Sequence, residues 1–170
     1  MAETIQTKVW KFTDDIDTDQ IIATQYLVNP DIHDMARYAM EIPKPEFASS
    51  VQTGDIIVAR NNFGCGSSRE QAPLVLKTLG VKTILAVSFA RIFYRNCINL
   101  GMRPYEIKLS HYDVFEDQST VSFHPQDNCI GVKNETIRLN PFPPFVENIL
   151  SAGGLIAHVT QQFNANQEKI

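Results

Sequence analysis

Asn61-Asn62-Phe63-Gly64-Cys65-Gly66-Ser67-Ser68-Arg69-Glu70 stands between two unlike neighbours. Before it, Asp55-Ile56-Ile57-Val58-Ala59-Arg60 is a short apolar run that reads as a buried strand. After it, within residues 71–79, Leu74, Val75 and Leu79 recur at helical spacing. The stretch is therefore a strand-to-helix turn. Gly64 and Gly66 suit it because glycine adopts positive φ and lets a backbone or ligand approach closely. Ser67 or Ser68 is the expected N-cap of the helix. Open N–H groups at a helix start, with the Arg69 guanidinium beside them, make a site for a carboxylate or phosphate. A capped helix with an exposed arginine accounts for the same residues without a ligand. Two hydroxyls, a fork-shaped cation and two glycines in one turn favour the anion.

Working outward, Val81 to Phe89 is a second buried-strand run, and Ala90 to Leu100 reads as a helix with Gly101 as its C-cap. Two strand–helix units in succession imply parallel strands covered by helices. Val9 to Phe12 alternates as a first strand. Thr13 to Gln20 is an acidic turn segment without the glycine and distal glutamate of a calcium loop, so Asx-turns and caps explain it. Ile21 to Val28 is short and apolar, Asp31 to Met40 reads as a helix presenting Met35, Tyr38 and Ala39, and residues 41–50 are loop-like, with Pro43 and Pro45. A loop beginning at Tyr26 would suit a mobile lid or a specificity element. From Met102 the pattern turns to short β-type runs at Tyr105–Leu109, Thr120–Phe123 and Thr136–Leu139. A helix over Phe145–Ser151, stopped by Gly153-Gly154, follows; residues 155–163 suit a strand or a helix, and 164–170 read as a polar, frayed tail. The expected architecture is α/β, a single domain over residues 1–170 with a mixed, partly parallel sheet.

The chain has 170 residues, 44% of them hydrophobic and 20% charged, an ordinary balance for a globular domain with a real core. A net charge of -4 gives no footprint for nucleic acid or an anionic membrane. No apolar run is long enough to span a bilayer, and residues 1–10 lack a signal-peptide core, so a cytoplasmic location is expected. Cys65, Cys97 and Cys129 are few, odd in number and widely spaced, and none of the four histidines (His33, His111, His124, His158) has a ligand spacing to them. No disulfide framework and no complete metal site is expected. Cys65 reads as a structural thiol under the turn rather than a nucleophile. Nor does the turn match a phosphate-binding P-loop or a dinucleotide fingerprint. Arg91 and Arg95 read as surface or subunit-interface cations.

The run Asn62 to Glu70 resembles the signature of the swivelling domain of the aconitase superfamily, and more closely that of the free-standing small subunits of 3-isopropylmalate dehydratase. Further matches are Asp15-Ile-Asp-Thr-Asp-Gln-Ile21, Gln25-Tyr-Leu27, Ser88-Phe-Ala-Arg-Ile-Phe93, Asn96-Cys-Ile-Asn-Leu-Gly101 and Ala152-Gly-Gly-Leu155, which together span nearly the whole chain. The resemblance implies a three-layer β/β/α swivelling fold and a hydro-lyase that works only with a large subunit carrying a [4Fe–4S] cluster, so that this chain itself binds no cofactor. It implies Ser67 as the base, acting as an alkoxide that helix-start N–H groups and Arg69 would stabilise. Ser68 and Arg69 would bind the substrate carboxylate, with Glu70 orienting Arg69. Asp17, Thr18 and Asp19 would face the cleft, Asp19 with a direct role, and Tyr26, Leu27 and Val28 would read the substrate's variable group. Homoaconitate-handling relatives carry Arg after Tyr-Leu, so Val28 implies an apolar-tailed malate, namely 2-isopropylmalate/3-isopropylmalate, with dimethylmalate- or citramalate-type acids as rivals. Gln71, where relatives often carry His, and a compact length are departures that remove no required group. Two other readings of the residues remain: a stand-alone anion- or nucleotide-binding module, and a non-catalytic regulatory partner of the same fold.

Overall fold

A computed structural model describes residues 4–167. In chain order it holds β1 (Ile5–Lys11), α1 (Thr18–Ile21), a 3-10 helix (Thr24–Val28), α2 (Ile32–Ala36), α3 (Phe47–Ser50), β2 (Ile56–Ala59), α4 (Gln71–Thr78), β3 (Thr83–Ala86), α5 (Arg91–Asn99), β4 (Arg103–Glu106), α6 (Leu109–Val114), β5 (Thr120–His124), β6 (Cys129–Val132), β7 (Glu135–Arg138), α7 (Pro144–Ser151) and α8 (Leu155–Gln167). One sheet runs β4-β3-β2-β1-β5-β6-β7. The pairs β1·β2, β2·β3 and β3·β4 are parallel. The pairs β1·β5, β5·β6 and β6·β7 are antiparallel.

β2 and β3 are buried on both faces, which is why β2 is wholly apolar and β3 carries only one polar residue, the buried Thr83. Alternate residues serve different cores. Trp10, Ile57, Ala59, Ile84 and Ala86 pack under the helices with Phe47, Phe63, Leu76 and Phe93. Val9, Ile56, Val58 and Leu85 pack with Val121, Phe123, Ile130, Val132 and Ile137 of the antiparallel half. The sheet therefore curls its antiparallel half over its parallel half, giving the expected three layers β/β/α.

Several local expectations change. α4 begins at Gln71 with Glu70 in the cap position and no side-chain cap, so neither Ser67 nor Ser68 caps it. Residues 41–50 are turns ending in α3, anchored by the fully buried Phe47, whose ring meets Trp10 edge-on at 5.0 Å. The helix expected over Asp31–Met40 is regular only over Ile32–Ala36, with Asp31 as its N-cap. β6 and α6 were not legible as elements, and the run expected as a strand to Leu109 leaves the sheet after Glu106. α8 continues through Gln167, so residues 164–167 are helical; 168–170 lie outside the described residues.

Candidate functional site

The loops that follow β1 and β2 run side by side, as their parallel parent strands do. Asn61 donates to the Asp14 carboxylate at 2.8 Å and Asn62 to Asp15 at 2.8 Å. Asp15 N–H reaches Asn61 O at 2.9 Å, Gly64 N–H reaches Ile16 O at 2.7 Å and Thr18 N–H reaches Cys65 O at 2.8 Å. Ser67 N–H then donates to Thr18 Oγ1 at 3.0 Å, and Arg69 Nη1 to Asp19 Oδ1 at 3.0 Å. Residues 14–19 and 61–69 are thus zipped side by side, which brings the Asp-Thr-Asp and Ser-Ser-Arg segments together.

Two glycines permit this alignment. Gly64 has φ +79°, and a Cβ there would lie 2.1 Å from Phe93 Cγ. Gly66 has φ +94°, with the Thr18 hydroxyl 3.1 Å from where its Cβ would stand. Thr18 itself is buried, so its hydroxyl is a fixed acceptor for Ser67 N–H. Asp17 is committed to capping: its carboxylate accepts from Gln20 N–H at 2.7 Å and its own N–H reaches the Gln20 side chain at 3.0 Å, a reciprocal capping box.

Arg69 is held on one edge. Nη1 also donates to Ile22 O at 3.1 Å, and Nη2 lies 3.4 Å from Thr24 Oγ1. Thr24 in turn donates to Asp19 Oδ1 at 2.8 Å. The Asp19 carboxyl lies below its ordinary range, first because of the Thr24 hydroxyl and then because of Arg69. Nε–H of Arg69 makes no hydrogen bond to the protein among the described residues, and the side chain is only 14% exposed. Glu70 is exposed and makes no bond to Arg69, so Asp19, Ile22 and Thr24 orient the guanidinium instead. Thr24 is the residue that sequence reading missed; only its spacing of five from Asp19 hints at the bond.

Ser67 and Ser68 are exposed, and no protein group binds either hydroxyl among the described residues. The Ser67 side of the turn opens into a cavity of about 400 Å³ shared with the start of α5. Cys65 is half-buried, and its thiol is pushed up by burial and then by the Asp17 and Asp15 carboxylates, which favours the protonated form. Tyr26 stacks on Tyr38 at 4.0 Å and donates to Glu41 at 2.6 Å. Leu27 packs on the helical-side core, while Val28 is 87% exposed and does not line the Ser67 cavity. Through Thr24, the 3-10 helix that carries these three residues is nevertheless tied to Arg69. No group of three or more His, Cys, Asp or Glu is placed to hold a metal ion among the described residues.

The chain matches the family model of the aconitase C-terminal domain over residues 2–110. It is 46% identical to the 3-isopropylmalate dehydratase small subunit 1 of Archaeoglobus fulgidus, over 88% of this chain and 92% of that protein. It is 44% identical to the methanogen homoaconitase small subunit of Methanothermobacter thermautotrophicus, over 93% of this chain and 92% of that one. The crystal structure of 3-isopropylmalate dehydratase from Methanocaldococcus jannaschii superposes with a TM-score of 0.92 at 38% identity, covering 99% of this chain and all of that one. With the zipped turn, the curled mixed sheet and these likenesses together, the chain belongs to the aconitase C-terminal domain family, among the small subunits of 3-isopropylmalate dehydratase.

Proposed function

We propose that this chain is the small subunit of a hydro-lyase that interconverts 2-isopropylmalate and 3-isopropylmalate by loss and re-addition of water, a step of leucine biosynthesis, and that it acts in the cytoplasm with a cluster-bearing large subunit. The observation that carries this reading is the pairing of Arg69, held by Asp19 and Ile22 O, with Ser67 two residues before it, whose hydroxyl no protein group binds among the described residues. Relatives named for isopropylmalate and for homoaconitate stand at 46% and 44% identity, so identity alone does not choose the substrate. Val28 favours the branched alkyl group, because an apolar side chain cannot pair a third carboxylate.

Each group has a defined task. The Arg69 fork holds a substrate carboxylate and fixes the adjoining carbon beside Ser67. Ser67 takes the proton from the carbon α to that carboxylate and returns it on rehydration. Ser68 donates to the same carboxylate, and Asp19 with Thr24 keeps Arg69 in place. Hydroxide is a poor leaving group and needs a Lewis acid. The cysteines of this chain do not fit an iron–sulfur cluster: Cys97 is fully buried on α5, Cys129 lies on β6 and Cys65 in the turn. That part of the chemistry is therefore assigned to the partner's [4Fe–4S] cluster.

The test is reconstitution. The purified chain mixed anaerobically with a cluster-bearing large subunit should isomerise 2-isopropylmalate, while the chain alone should not. Turnover without a partner, or a reconstituted complex that prefers a tricarboxylate, would overturn the reading.

A further inference from the structure

The 3-10 helix Thr24–Val28 buries none of its residues, and no side chain caps its start. Side-chain contacts hold it instead. At its first residue, Thr24 donates to Asp19 and meets Arg69. Two residues on, the Tyr26 ring lies flat on Tyr38, with centroids 4.0 Å apart and planes 5° from parallel. The Tyr26 hydroxyl donates to the Glu41 carboxylate at 2.6 Å, a short, charge-assisted bond. Leu27 adds apolar contact with the helical-side core.

The two partners of Tyr26 stand on a firmer base than the segment they touch. Tyr38 and Glu41 flank Ala39 and Met40, both of which are buried. Met40 N–H donates to Ile21 O at 2.9 Å, which brings this turn back to the chain just before Thr24. Met40 also holds φ +60°, a costly conformation for a bulky side chain that persists only where the surroundings impose it. Tyr38 and Glu41 are themselves exposed, so filling the core is not their task.

We propose that Tyr38 and Glu41 are positioning residues for substrate selectivity: they grip Tyr26 and so fix where residue 28 stands relative to Arg69. The inference rests on the proposed function, in which the carboxylate end of the substrate meets Arg69 and its variable group meets the 24–28 segment. The two attachments divide the work. Thr24 ties the segment to the group that every malate shares. Tyr26 ties down the part leading to Val28, about 8 Å beyond Thr24 at the 3-10 rise per residue. With the grip released, the Arg69 end stays in place while Val28 no longer holds one position.

The experiment compares Tyr38→Ala and Glu41→Ala with Tyr38→Phe, which keeps the stack, and Glu41→Gln, which keeps an acceptor. Hydrogen exchange on the full chain reads the grip without turnover. Peptides covering 24–28 should exchange faster in the two Ala variants and near the wild-type rate in the conservative ones, with β2 unchanged in all four. In the assembled enzyme, the Ala variants should lower the ratio of kcat/KM for 2-isopropylmalate to that for 2-methylmalate roughly fivefold, part of what an apolar contact contributes to discrimination. The conservative variants should restore it. In a Val28→Ala background, Glu41→Ala should leave the ratio where Val28→Ala alone puts it, because the two residues then act through one contact. Unchanged exchange at 24–28 would overturn the grip. An equal fall on both acids, or a full Glu41→Ala effect in the Val28→Ala background, would overturn its role in selectivity. A wild-type complex that turns over neither acid would instead sink the functional reading, and the exchange rates would still decide the grip.

Discussion

Ser67 and Arg69 are two residues apart, yet different parts of the molecule hold them: Thr18 anchors the Ser67 backbone, and Asp19 with Ile22 anchors the Arg69 side chain. Because the Ser67 hydroxyl has no protein partner, Ser67→Ala should leave melting temperature and subunit association unchanged while lowering kcat roughly 10²-fold or more, the scale of lost proton transfer. A near-wild-type rate would move the role of base to Ser68 or to the partner. Arg69→Lys keeps the charge but loses the fork, so KM should rise with little change in fold, as steady-state kinetics on the assembled enzyme would show. A residue far from the chemistry carries more stability. Asp55 is buried, and its carboxylate accepts from Trp10 Nε1 at 2.9 Å, Gln52 N–H at 2.9 Å and Lys8 N–H at 3.3 Å. Asp55→Ala would strand those donors and should cost about 2–4 kcal/mol in denaturant unfolding.

At the scale of elements, the turn after β2 depends on glycine for two different reasons. Gly64→Ala drives a Cβ into Phe93 and should lower the melting temperature and activity together. Gly66→Ala strains a backbone at φ +94° and crowds the Thr18 hydroxyl at 3.1 Å, so it should lower activity through the Ser67–Thr18 bond with a smaller loss of melting temperature than Gly64→Ala. α7 is clamped to β4 by the two-pronged Arg103–Glu147 pair, at 2.9 and 2.6 Å. The Glu147 carboxyl is held below its ordinary value, first by its hydrogen bond to Arg103. A depressed carboxyl pKa contributes stability above the ordinary value and loses it as pH falls through the folded one. The stability gap between wild type and Glu147→Gln should therefore close as pH drops below 4.5. These elements also show what the sequence could disclose. β2 and β3 were legible because burial on both faces leaves them almost wholly apolar, and α7 because proline and glycines bracket it. β6 was not legible, being four residues with a glycine inside and a positive-φ residue at each flank, Asn128 and Lys133. The serine cap was misread for a tertiary reason. Residues 61–69 pair with 14–19, so Ser67 N–H is taken by Thr18 Oγ1 and the helix does not begin until Gln71.

For the whole molecule, the loops that hold the candidate site follow the carboxyl ends of β1, β2 and β3, the usual place for ligands in a parallel sheet. Specificity belongs to this scale as well. Val28 projects into solvent outside the Ser67 cavity, so it can meet substrate only in the assembled enzyme. Val28→Arg should there lower kcat/KM for 2-isopropylmalate and introduce activity on homocitrate-like tricarboxylates; an unchanged ratio would assign specificity to the large subunit. The zipped loops bear also on how the chain reaches its native state. Ser67 and Thr18 are 49 residues apart, and their bond has no geometry until β1 and β2 are already aligned. Contacts of such sequence separation form late, and those beyond the end of a ladder open first. The single tryptophan, Trp10, lies in the buried core against Phe47 and reports on that earlier alignment. On dilution from denaturant, its fluorescence should recover ahead of the ability to activate a large subunit. The lag between the two signals is the time the two loops take to close in register, and Gly66→Ala should lengthen it without slowing the fluorescence phase.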